Sequence, residues 1–388
     1  MKRISTVLLA ATTSFAVACT GDPTKGGGGG DDDDGPGSNV GDEWDQELAK
    51  RDYDYNAALK IAALRLTGDL PTMDEITSVR DAADNAAKKV AYEALVQAYM
   101  GRPTFARQMF FFWRDTFKMG ETPELDTAPA FAAQISTGVG KYTDLFTSGA
   151  NNCPTFDGVG TFTPAECPGN APKAGVLSNP GAMKHYFGNF AFRRVKWVQE
   201  TFVCTKFPIS SQIAGTPTDN GGATPYTGVF PISSFSGTAN GGRVDFQDGK
   251  AVQCGHCHQN LNHVAPMFAN FDENGVYQNQ IAVPTPLDGA PLAQATDYLP
   301  PGEGYAWRFG VPVNDLPSLG AAMAADNDVA ECGVARIWNW ALGKTDIVDT
   351  LQTVPSDTIA SQTTAFKGDY NVKNLIFAVY TADDFVKF

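Results

Sequence analysis

Five residues constrain this chain more than any other feature: Cys254-Gly255-His256-Cys257-His258. The C-x-x-C-H spacing is a chemical device. On the first turn of a helix, cysteines three apart point to one side, and the next residue comes round to face the same group. Each thiol adds across one haem vinyl group and the histidine reaches the iron. The segment therefore reads as an attachment site for haem c, with Cys254 and Cys257 as thioether positions and His258 as proximal iron ligand. Two other chemistries share part of the pattern. Cys-Gly-His-Cys is also the dithiol of disulfide isomerases, where it normally follows a Trp at a strand end in a βαβ unit. Here Val252-Gln253 precedes it, βαβ alternation is missing around it, and His258 has no part in dithiol chemistry. A zinc site from Cys254, Cys257, His258 and His263 crowds together ligand pairs that zinc knuckles hold roughly a dozen residues apart.

The surroundings supply further candidates. Pro266, eight residues beyond His258, offers a carbonyl for the imidazole Nδ1–H, as in small cytochromes c, and otherwise ends the helix. Phe268, Phe271 and Tyr277 read as apolar wall. His263 falls about 7.5 Å further along a continuing helix, on the proximal side, and reads as a surface or cap residue. The sixth-ligand candidates are Met323, Met267 and His185. Met323 stands 65 residues after His258 on an expected helix. Met267 needs a loop around the haem edge. An open five-coordinate iron is the remaining reading.

The N-terminus says where such chemistry would occur. Met1-Lys2-Arg3 followed by the apolar stretch Ile4 to Val17 has the form of an export signal, too short to span a bilayer. It runs through Ala16-Val17-Ala18 into Cys19, the pattern of a bacterial lipobox, which makes Cys19 the expected lipidation site. Ordinary cleavage after Ala18 is the alternative. Thr20 rather than Asp follows, which favours the outer membrane, facing periplasm or cell surface. Gly26–Gly30 and Asp31–Asp34 then form a flexible, self-repelling tether, without the alternate ligand spacing of a calcium loop. No later apolar run reaches the roughly 18–20 residues of a membrane helix, so the membrane contact expected is the lipid alone. A net charge of −14 argues against a nucleic-acid partner.

The periodicity predicts a mainly α protein: a helical N-terminal domain and a loop-rich, mostly helical c-type cytochrome-like domain. The expected division is signal peptide 1–18, tether 19–45, helical domain 46–150, a loop excursion and connection 151–192, and a haem domain 193–388. Helices are expected at Asp45 to Leu66, from Pro71, at Lys89 to Met100, Pro103 to Met119, Ala128 to Phe146, Arg193 to Val203, Asp315 to Ala325, Asp328 to Leu342 and Asn371 to Phe385. Met109 to Trp113, apolar all round, reads as buried core. With 39 Gly and 24 Pro, much of the chain is loop, notably Asn151 to Pro180 and Ser210 to Arg243.

Five segments, in order, resemble the planctomycete-type cytochrome c proteins, large exported mosaics found also among myxobacterial lipoproteins. They are Leu64 to Thr72, Tyr92 to Trp113, Arg193 to Cys204, Cys254 to Gly275 and Val329 to Asp346. The chain departs from the family at Asn262-His263-Val264-Ala265, where Asp-Pro-x-Gly is usual, and at Lys344, where Arg is usual. The resemblance implies a haem protein of the envelope but no settled activity and no sixth ligand. With Cys19 given to lipid and Cys254 and Cys257 to haem, four of the seven cysteines remain. Three pairings are open to them. Proximity favours Cys153 with Cys167, and the family segments then join Cys204 to Cys332. The leading expectation is a lipid-anchored monohaem cytochrome that transfers electrons to a redox partner the sequence does not name. The alternatives are an open-site haem enzyme of peroxidase or oxidase type and an envelope binding protein with a structural haem.

Overall fold

A computed structural model describes residues 43–206, 237–238, 244–245, 252–284, 292–299, 302–344 and 354–388. The signal, Cys19, the tether to residue 42 and nearly all of the 210–243 segment lie outside these residues, as do the side chains of Cys254, Cys257 and His258.

The described chain is mainly helical, as expected. Helices α1 (Glu43–Ala49), α2 (Tyr55–Thr67), α3 (Met73–Arg80), α4 (Asn85–Tyr99), α5 (Pro103–Phe117), α6 (Thr127–Thr137) and α7 (Asp144–Thr147) form the N-terminal part. The predicted Asp45 to Leu66 helix is thus two helices. The Asp54 carboxylate accepts the Asn56 and Ala57 N–H groups and starts a new helix there. Gly68, in the left-handed region at φ 80°, closes α2, and a reciprocal Thr72–Glu75 capping box opens α3. The predicted Ala128 to Phe146 helix also divides, ending at Gly138 and resuming as α7.

Next come a two-stranded hairpin, β1 (Thr155–Phe156) with β2 (Phe162–Thr163), then α8 (Pro180–His185) and α9 (Phe192–Phe202). A short strand pair, β3 (Gly237–Thr238) and β4 (Val244–Asp245), precedes α10 (Val252–Phe268) and α11 (Ala295–Tyr298). A third pair, β5 (Ala306–Trp307) and β6 (Val311–Pro312), leads to α12 (Leu316–Ala325) and α13 (Asn327–Ala341). The chain ends in α14 (Ala360–Asp369), α15 (Val372–Thr381) and α16 (Asp383–Val386). The predicted last helix is therefore interrupted at Ala382. α14 was not expected: it is mostly polar and buries only Gln362 and Phe366, too thin an apolar stripe to register as periodicity.

The C-terminal helices close over the N-terminal ones. α15 packs on α4 and α6, and α13 and α16 pack on α2. The buried Tyr92 hydroxyl donates to the Tyr380 carbonyl at 2.7 Å, and Tyr53 bridges to Lys387. One hydrophobic cluster runs from Tyr55 to Val386, so the two expected halves share a core. Met109, Phe110, Phe112 and Trp113 are in it, while Phe111 is exposed.

Both expected disulfides are present. Cys153–Cys167 ties the ends of the β1–β2 hairpin segment, with Cα atoms 4.9 Å apart. Cys204–Cys332 joins the end of α9 to α13 across 128 residues of sequence, with Cα atoms 5.4 Å apart.

Candidate functional site

The C-x-x-C-H residues occupy the opening turns of α10. From Asn260 onward this helix is buried. α9, α11, β5 and the turn at Asn189–Ala191 pack around it. These elements bring large aromatic side chains: Phe190, Tyr298 and Trp307 are all nearly or fully buried. The Phe190 and Tyr298 rings lie 4.4 Å apart, and the Tyr298 hydroxyl donates to the Phe190 carbonyl at 3.3 Å. Burial pushes the Tyr298 hydroxyl pKa well up. Trp307 is fixed from the other side, its Nε1–H donating to Asp326 at 2.8 Å. Its neighbour Arg308, buried, pairs with Asp326 and Asp328. The junction of α12 and α13 thereby holds β5 against the motif helix.

Asn260, two residues after His258, is completely buried, and neither its Oδ1 nor its Nδ2 has a hydrogen-bond partner among the described residues. Buried amides are almost always satisfied. The described surroundings of the later turns of α10 are apolar and aromatic.

The other end of α10 is held by a residue that sequence reasoning passed over. Arg194, on α9, is fully buried and directs five hydrogen bonds at four carbonyls, those of Met183, Phe268, Phe271 and Asp272. The last carbonyls of a helix lack internal partners, and a guanidinium presents five donors in a rigid fork. Burial lowers its pKa to about 9. The turn that follows is built on Asp272, whose carboxylate accepts the Asn274 and Val276 N–H groups and the Gln278 amide. Gly275, at φ 74°, presses on α8 so closely that a Cβ there would lie 2.1 Å from the Pro180 carbonyl oxygen.

The expected accessory residues fall as follows. His263 is not a surface or cap residue: it is wholly buried, with Nε2 3.0 Å from Glu303 Oε2. Pro266 lies within α10 and does not end it. It stands about 12 Å along the axis from His258, and its carbonyl accepts the Ala269 N–H at 3.3 Å. Met267 is on the same helix as His258, with no intervening loop to carry it around a haem edge. His185 ends α8, half-buried, in a cleft with Arg65, Lys118 and Arg336. Burial lowers its pKa, offset in part by its contact with the Lys118 backbone. α8 meets the turn that follows α10, where Gly275 lies against Pro180 and Lys184, and Arg194 bonds both the Met183 carbonyl and the Phe268 carbonyl at the helix end. Met323 is fully buried on α12, which packs on the same β5 that packs on α10.

Among the described residues no three His, Cys, Asp or Glu side chains converge as a metal-binding group. No described helix is long and apolar enough to cross a membrane. Compared with protein-family models, curated proteins and solved structures, the chain matches none.

Proposed function

We propose that this protein is a lipid-anchored, monohaem c-type cytochrome of the cell envelope that transfers electrons. The observation that carries the reading is the C-x-x-C-H motif in the opening turns of a helix whose remainder is buried among aromatic side chains. The resemblance of five ordered segments to the planctomycete-type cytochrome c proteins supports it, as do two disulfides, which suit an oxidising compartment.

In this reading Cys254 and Cys257 would hold haem c covalently and His258 would ligate its iron. A haem so bound supplies one-electron redox chemistry. Phe190, Tyr298 and Trp307 help keep water from the buried length of α10. Arg194 fixes the helix from its C-terminal end. Met323 is the sixth-ligand candidate carried forward, since Met267 shares the helix of His258 and His185 ends α8, in the cleft with Arg65 and Arg336. Cys19 carries the lipid.

The test is direct. Protein exported in a host that matures c-type cytochromes is expected to carry one haem per chain by mass spectrometry and to give a haem c pyridine haemochrome. An unmodified mass with free thiols at Cys254 and Cys257 overturns the reading. Met323→Ala is expected to turn low-spin iron high-spin while the haem stays attached. An unchanged spectrum removes Met323 as ligand.

A further inference from the structure

Away from α10, residues of α2, α5, α8 and α13 enclose a cleft of about 790 Å³. Its charge runs against that of the chain. Arg65, Arg114, Lys118, Arg336 and Lys344 line it, against the carboxylates Asp115 and Glu121, in a protein of net charge −14. A concavity lined mainly by one sign of charge focuses the field and concentrates the opposite ion.

The cations are seated. At Gly343, φ 67°, a Cβ would lie 2.3 Å from Arg65 Nη2, and at Gly120, φ 134°, a Cβ would lie 2.3 Å from Arg114 Nη2. Each guanidinium therefore rests on glycine backbone, in space that any other side chain would take. Arg336 is held by the Thr201 and Glu200 carbonyls at 2.9 and 2.8 Å. Arg114 lies 3.1 Å from Asp126. The side chains of Arg65 and Lys344, by contrast, have no hydrogen-bond or ion-pair partner among the described residues. Asn339, 5% exposed, also lines the cleft. One wall is apolar: the rings of Phe112 and Trp340 lie 5.5 Å apart.

We infer that this cleft binds an organic polyanion, a small molecule with two or more acidic groups on an apolar body. The volume is that of a small-ligand site. Guanidinium forks match carboxylate and phosphate oxygens bidentately, and the Phe112–Trp340 wall takes the apolar body. Three segments far apart in sequence, around residues 65, 114–120 and 336–344, supply the cations, so the site exists only in the folded chain.

Isothermal titration of the full mature chain with benzene-1,2,4-tricarboxylate tests this, with inorganic sulfate as the bare-anion comparison. We expect one saturable site, weaker binding of sulfate, and a loss of about tenfold or more in affinity in Arg65→Gln/Lys344→Gln, the scale of one charge-assisted hydrogen bond. Lys60→Gln, an exposed lysine outside the cleft, is expected to bind as wild type. If the double variant is unstable, Lys344→Gln alone carries the test. Absence of saturable binding, sulfate binding as tight as the tricarboxylate, affinity unchanged in the cleft variants, or an equal loss in Lys60→Gln each overturns the proposal.

Discussion

Arg194 reaches from α9 to the end of α10, where its Nη1 donates to the Phe268 carbonyl at 2.7 Å. The same nitrogen also holds Phe271 at 2.8 Å, so one side chain ties the helix that bears the C-x-x-C-H motif to the turn that follows it. Arg194→Lys keeps a charge but loses the fork and most of its donors. We expect it to cost on the order of 3 kcal/mol, since each hydrogen bond to a charged group is worth roughly 1.5–3 kcal/mol and buried carbonyls are left unmet. The urea midpoint measures this. A wild-type midpoint would show that the carbonyls find other partners.

Gly275 meets two demands at once, a left-handed backbone and contact with the Pro180 carbonyl. Gly275→Ala fails both. The backbone conformation alone costs a non-glycine residue about 1–3 kcal/mol, and the collision is with main chain rather than a flexible side chain. A fall of at least about 2 kcal/mol in unfolding free energy is expected. Gly188, also at positive φ but with open space around it, is the control: Gly188→Ala should cost less.

The Cys204–Cys332 bridge encloses the motif helix in a loop of 128 residues. By the chain-entropy account, closing a loop of that size contributes about 5 kcal/mol. Cys204→Ser/Cys332→Ser is expected to lose stability on that scale, and under non-reducing conditions to lose the compact migration of the bridged unfolded chain. Covalent haem, where present, is expected to persist, because Cys254 and Cys257 are unaltered. A double variant as stable as wild type would assign the bridge no thermodynamic role.

Asp315 caps α12, the helix of Met323. Its carboxylate accepts from the Ser318 hydroxyl at 2.6 Å and the Ser318 N–H at 2.8 Å, and these bonds hold its pKa below the usual range. A carboxyl depressed in the folded state binds its proton more readily in the unfolded one. Its contribution is therefore complete above the unfolded value, near 3.9, and fades as pH falls through the lower folded value. Asp315→Ala is expected to cost about 1 kcal/mol at neutral pH. Asp315→Asn, which still caps, should cost less and remove this part of the acid sensitivity. Thermal melts of both between pH 3 and pH 7 give the comparison.

What could be read from the sequence is what short spacing encodes. The helical class follows from recurrences such as Tyr55, Leu59, Ala62 and Leu66, all buried. The helix start at Pro103 follows from proline's fixed φ, and the start expected from Pro71, with acids in the first turn, falls two residues later, at Met73 after the Thr72 cap. The haem reading rests on the three-residue spacing of C-x-x-C-H, and the backbone there is helical. Where a local pattern was weak, as in the polar α14 or the breaks at Asp54 and Gly138, the reading from periodicity failed at those points.

Tertiary structure decided everything that depends on which distant residues meet. Polar residue type marks His263 for the surface, yet it is buried because Glu303, 40 residues away, satisfies it. Arg194 is one arginine among several in the sequence. It becomes the clasp of α10 only because α9 lies against the helix end and four carbonyls converge there. Gly275 and Gly343 look like turn glycines. Their need for no side chain comes from the Pro180 carbonyl and the Arg65 guanidinium packed upon them. The cationic cleft belongs to no segment, since an acidic chain gathers its positive charge there only when α2, α5 and α13 fold together. Spacing along a chain fixes which groups share a turn, whereas burial and long-range contact, which set pKa values, orphaned donors and clefts, exist only once the core has formed.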